Sequence, residues 1–152
     1  MAGGKANRKI IADRLDFIMR MVADIRALPL ESLEQFAQDR RNFGAAESCL
    51  RRSLEALLDL GRHILAKVFG QAVTEYKKIA DELELQGVLS HEHARKLRIL
   101  AGYRNRMVHF YHEVSFNEVY QICTLELDDL QTIREALIAW IKANPQCIDD
   151  TL

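Results

Sequence analysis

Proline and glycine are scarce in this chain. Of its 152 residues only 2 are proline and 7 are glycine, and after Gly3-Gly4 the glycines stand alone. Few turn formers means few linkers and few hairpins, so turn-rich β folds are disfavoured and long helices favoured. The 3 cysteines, Cys49, Cys123 and Cys147, lie far apart, with neither the paired spacing of a zinc site nor that of a disulfide framework. No apolar run approaches the roughly 18 residues of a membrane span. The opening Met1-Ala-Gly-Gly-Lys-Ala-Asn-Arg-Lys lacks the apolar region of a secretory signal. A cytoplasmic protein without a membrane anchor is expected. There is no internal repeat, no low-complexity tract and no sustained strand-like alternation. The glycines form no phosphate-binding loop, since no strand precedes them.

What is present is a helical pattern. Apolar residues make up 49% of the chain, enough for a core in one domain of ordinary size. We expect a single domain over 1–152, with 1–7 a flexible leader and 145–152 a tail. Ile11, Leu15, Ile18, Val22 and Ile25 recur at helical steps from about Arg8 to Leu28, and Pro29 ends that run. Ser32 with Gln35 has capping-box spacing and opens a short helix. A long helix is predicted from Asp39 to Phe69, with Leu50, Leu54, Leu57, Ile64, Leu65 and Val68 inward and Glu47/Arg51, Arg51/Glu55 and Asp59/His63 as ladder pairs four apart. Gly70 ends it. A helix from Thr74 to Gln86 follows, closed by Gly87. Ser90 caps a basic helix bearing Leu97, Leu100 and Met107. Ser115 with Glu118 opens a final helix running unbroken to Ala143 and stopped by Asn144-Pro145. Long helices on short connections favour antiparallel neighbours, so the predicted fold class is all-α, an up-down antiparallel bundle.

The net charge of −1 says nothing of partners, but its distribution does. From His91 to His112, Arg95, Lys96, Arg98, Arg104 and Arg106 face one acid, Glu92; from Glu113 onward eight acids face two bases. A basic field beside an acidic segment suits an anionic ligand or a partner surface. Inside that field lies Arg104-Asn-Arg-Met-Val-His-Phe-Tyr111. An arginine grips a phosphate bidentately, and a histidine moves a proton near neutral pH. On an ideal helix Arg104 and Tyr111 share a side, whereas His109 lies roughly 140° round from Arg104. Convergence therefore asks that the helix end or loosen between Arg106 and His109, or that two copies of the motif face each other across a two-fold axis, and we expect both together. Chemistry on a phosphodiester needs a base, an acid and positive charge at phosphorus. His109 and Arg104 supply these without a metal or cofactor; Asn105, Arg106 and Tyr111 are candidate substrate or supporting contacts. The plain alternative is that Arg104 pairs with a carboxylate from the final helix, His109 caps a helix end and Tyr111 packs in the core with its hydroxyl at the surface. A metal site from His91, His93, His109 and His112 lacks a carboxylate or thiolate at suitable spacing.

Arg104-x4-His109-x-Tyr111, with Leu54-Glu-Ala-Leu-Leu-Asp-Leu-Gly-Arg-His-Ile64 and Leu85-Gln-Gly-Val-Leu-Ser90 upstream, resembles the HEPN-domain toxin ribonucleases of the HepT-like family. The resemblance covers roughly Asp39 to Trp140. It implies an all-helical homodimer, with Arg104 and His109 catalytic in a cleft at the dimer interface of a metal-independent endoribonuclease. It further implies a toxin whose partner is an MntA-like nucleotidyltransferase antitoxin, with RNA as substrate and Tyr111 as the site of adenylylation. Attached AMP would add bulk and negative charge beside Arg104. A second class of function stays open: a non-catalytic helical adaptor that binds a nucleotidyltransferase and its substrate.

Overall fold

The structure, a computed structural model, describes residues 4–150. Helix α1 (Arg8–Arg26) starts where the Asn7 side chain accepts from the Ile10 N–H at 3.0 Å, and buries Ile11, Ile18, Met21, Val22 and Ile25. Ser32 caps α2 (Leu33–Ala37) through the Gln35 N–H. The longest helix, α3 (Arg40–Phe69), is capped by Asp39 and ends at Gly70, whose φ of 65° is the left-handed conformation that closes a helix. It packs along α1 and buries Leu50, Leu54, Leu57, Leu58, Ile64 and Leu65. Helix α4 (Tyr76–Leu85) begins two residues after the expected start, and Gly87 ends it with φ 77°. Gly61 allows α4 to approach α3 closely: a Cβ there would sit 2.9 Å from Leu83 Cδ1 and 3.1 Å from Ile79 Cγ2.

Ser90 caps α5 (His91–His109) through the His93 N–H. This helix packs on α3, α4 and α7 (Leu127–Ala143), with Leu97, Leu100 and Met107 inward. Between α5 and α7 run a 3₁₀ turn at Tyr111–Glu113, the short α6 (Phe116–Gln121) capped by Ser115, and a π-helical turn at Ile122–Glu126. The final helix is therefore not unbroken from Phe116 to Ala143. Phe36, Phe43, Phe116 and Tyr120 pack ring on ring beneath α6, and the Tyr120 hydroxyl donates to the Leu30 carbonyl at 3.0 Å. The buried apolar residues of α1 to α7, Met21 excepted, form one contiguous cluster, the all-α up-down bundle that the spacing predicted.

The two ends of the described chain meet. β1 (Ala6–Asn7) pairs in parallel with β2 (Ile148–Asp149), Ala6 opposite Ile148, and both of those residues are buried. This part of the expected leader and tail is thus ordered against the core. Residues 1–3 and 151–152 lie outside the described residues. The Asn7 N–H donates to His63 Nε2 at 3.0 Å, so His63 faces β1 and does not complete a ladder pair with Asp59. Burial, aided by Lys67 and Arg14, holds the His63 pKa below its ordinary value.

Candidate active site

The last two turns of α5 carry the motif, and the carboxylate that holds its arginine comes from α3. Arg104 Nε and Nη2 both donate to Glu55 Oε2, at 3.1 and 3.0 Å, and Nη1 donates to Asn105 Oδ1 at 3.3 Å. The Arg104 side chain is 19% exposed. Its guanidinium carbon lies 4.4 Å from the centroid of the Tyr76 ring, at the start of α4. Arg62 approaches the same ring at 4.9 Å. The Tyr76 hydroxyl donates to Asp59 Oδ1 at 3.0 Å. Burial first, then the Asp59 charge and hydrogen bond, push the Tyr76 pKa up, with Arg104 and Arg62 acting the other way. The phenol therefore stays protonated and remains a donor at neutral pH. Glu55, Asp59 and Arg62 fall at i, i+4 and i+7 on one face of α3, which is why a single helix can buttress both the guanidinium and the ring beneath it.

Arg104, Asn105 and His109 line one hollow of about 530 Å³, closed on its other side by Arg62, Tyr76 and Lys77. The helix does not loosen between Arg106 and His109; it continues through His109 and stops at Phe110, whose N–H still donates to the Arg106 carbonyl at 2.8 Å. The predicted angular mismatch is accommodated differently. The long arginine side chain leans across Tyr76 toward α3, and no further turn of α5 covers the hollow beyond His109. His109 itself is exposed.

The other motif residues point elsewhere within one chain. Arg106 is pinned to Glu118 of α6 by two hydrogen bonds of 2.9 and 2.8 Å and does not line this hollow. Tyr111 is 72% exposed in the 3₁₀ turn, edge-on to His112, and is not part of the lining. The basic field around the motif is largely paired: Arg95 with Glu92, Lys96 with Asp129, Arg98 with Asp81. Among the described residues no group of three or more His, Cys, Asp and Glu side chains could hold a metal ion. Burial pushes the Cys123 thiol up to about 12, far from a reactive thiolate.

Sequence reasoning missed Glu55 as the partner of Arg104, because the ladder assigned it to Arg51, which it meets at only 3.8 Å. It also missed Tyr76, Asp59 and Arg62. The i, i+4, i+7 polar spacing of α3 was the available signal for three of these; nothing local marks Tyr76.

Comparisons with known proteins bear on the family and the fold. The family described as "Ribonuclease HepT-like" matches residues 18–137. A tRNA nuclease HepT from Aphanizomenon flos-aquae is 28% identical over 119 residues, covering 78% of this chain and 80% of the relative. Among solved structures, a tri-AMPylated HEPN toxin from Shewanella oneidensis in complex with its MNT antitoxin superposes with a TM-score of 0.77 at 22% identity, over 86% of this chain and 97% of that one. The Bacillus subtilis cytosolic protein YutE superposes at 0.80 with 18% identity, over 97% and 99%. The order of helices, the Arg104–His109 hollow and a family match over most of the chain lead to one conclusion: this chain belongs to the HepT-like ribonuclease family.

Proposed function

We propose that the chain is the toxin of a toxin–antitoxin pair, an endoribonuclease that cuts RNA with Arg104 and His109. The observation that carries this reading is their shared hollow, lined both by a guanidinium held by Glu55 and Tyr76 and by an exposed imidazole. The relatives add support, one being a tRNA nuclease and another an AMPylated toxin bound to its antitoxin. In the proposed reaction the 2′-hydroxyl attacks the adjacent phosphorus. Its proton passes to the imidazole of one His109. Arg104 offsets the charge gathering on the phosphorane oxygens, and the 5′-oxygen leaves with a proton from a second imidazole. One chain offers a single His109, so the second comes from a two-fold mate across a shared cleft. No step uses a metal.

Regulation follows from exposure. Tyr111 stands free enough of the core for a nucleotidyltransferase to reach it. Its phenolic oxygen attacks the α-phosphorus of ATP, pyrophosphate leaves, and the phenol proton goes to solvent or an enzyme base. The AMP so attached carries a negative charge that competes with RNA for the cations of the cleft.

Purified protein is expected to cut RNA in EDTA and to leave 2′,3′-cyclic phosphate ends. Arg104→Ala and His109→Ala should each abolish cutting with helicity retained. Undiminished cutting by both variants overturns the mechanism. The adaptor reading finds support in the carboxylates that neutralise the cations of α5; growth arrest that depends on His109 excludes it. Intact mass after co-expression with the nucleotidyltransferase should show added AMP, and Tyr111→Phe should remove it.

A further inference from the structure

A second hollow, of about 490 Å³, lies on the other flank of Lys77. Lys77, Arg95, Arg98 and Arg106 line it together with Ile99 and Gly102, and no carboxylate is in the lining. Lys77 also lines the hollow of Arg104 and His109, so one ammonium joins the two. Lys77 passes over Gly102 of α5 at ordinary van der Waals distance. A Cβ there would stand 3.6 Å from Lys77 Cε and 3.9 Å from Nζ, so the lysine lies across α5 at that point. Among the described residues Lys77 has no ion pair. The three arginines do have partners, and all in the same manner. Nε and Nη2 of Arg95 are held by Glu92, those of Arg98 by Asp81 and those of Arg106 by Glu118. In each case Nη1 is left without a hydrogen bond among the described residues. Exposed pairs of this kind fix a guanidinium in place while contributing little energy.

We propose that Lys77 with Arg95, Arg98 and Arg106 forms a track that binds the single-stranded RNA flanking the cut, continuous with the Arg104–His109 hollow. The inference rests on the ribonuclease reading. A row of cations with an apolar floor at Ile99, which is 41% exposed, suits a phosphate backbone with unstacked bases. It explains why four cations crowd one side of α5 although each arginine already has a carboxylate. Lys77 is the joint of the track because it touches both hollows.

The test uses the full chain carrying His109→Ala, so that RNA is not consumed, and the anisotropy of a labelled single-stranded oligoribonucleotide across a salt series. Adding Lys77→Glu should weaken binding about tenfold or more at low salt. It should also flatten the slope of log affinity against log salt by about 0.7 for each phosphate that is no longer neutralised. Lys78→Glu is the matched control: it makes the same charge change one residue along, but Lys78 pairs with Glu75 and lines a different hollow. It should have a much smaller effect. Equal losses from the two variants, or none from Lys77→Glu, overturn the track and leave the ribonuclease reading intact. Loss of nucleotidyltransferase binding with RNA binding unchanged likewise overturns it, assigning the cations to a protein partner. Failure of the His109→Ala parent to bind any RNA rejects the track outright; cutting by the wild-type chain then decides the ribonuclease reading separately.

Discussion

Tyr76 takes no part in the proposed proton transfers, yet it sits beneath the guanidinium to which the proposal gives the electrostatic role. A cation over an aromatic face contributes about 1 kcal/mol when partly shielded from water, and here the ring is itself fixed by Asp59. Tyr76→Leu is therefore expected to lower kcat about fivefold to tenfold in RNA cleavage, with helicity by circular dichroism unchanged. Tyr76→Phe, which keeps the face and loses only the hydroxyl, should retain most of the rate. Equal rates for leucine and tyrosine would show that the ring does not orient Arg104. The residue scale is also where the sequence was least informative. Arg104 and His109 were legible as candidates because a phosphodiester calls for their two chemistries, and the structure has both line one hollow. Glu55 and Tyr76 were not, since each reaches Arg104 only through the packing of α3 and α4 on α5.

Helix ends and close approaches were legible as elements. Ser32, Ser90 and Ser115 each cap as their spacing indicates, and Gly70 and Gly87 take the left-handed conformations that stop α3 and α4. The π-helical turn at Ile122–Glu126 was not legible, because the apolar residues on either side keep helical spacing through it. The β1–β2 pair escaped notice too: each strand is two residues long and its partner lies at the other end of the chain. The two internal glycines of α3 separate in consequence. Nothing lies within 4 Å of a Cβ at Gly44, so Gly44→Ala should stabilise the protein by about 1 kcal/mol through helix propensity. At Gly61 the same change presses on fully buried Leu83 and Ile79, and overpacking of about 1–3 kcal/mol should outweigh the propensity gain. Urea melts of the two variants should move in opposite directions. His63 gives a pH-dependent counterpart. Its folded pKa lies below 6.5, so the unfolded chain takes up its proton first as pH falls. Its contribution is complete above about pH 6.5 and declines as pH drops from there toward the folded pKa. His63→Gln, whose amide oxygen can still accept from Asn7, should flatten the fall of Tm below pH 6.5.

On the scale of the whole molecule the proposed chemistry needs two imidazoles, and one chain supplies one. If each cleft draws His109 from both members of a pair, mixing wild-type and His109→Ala chains should lower activity as the square of the wild-type fraction. Co-expression at graded ratios, followed by initial rates of RNA cleavage, measures this. A linear decline would show that each chain cuts by itself. The all-α bundle was readable from periodicity because each helix buries its own stripe. The hollow was not, since it forms only where α3, α4 and the end of α5 come together.

The parallel pairing of Ala6 with Ile148 has a mechanical consequence. Tension applied to the two ends pulls these strands in opposite directions along their length. The pairing contacts then bear load together in shear and do not peel apart one by one. A bundle of helices would otherwise yield gradually from its ends; this one should hold until the seam slips, and only then release its outer helices.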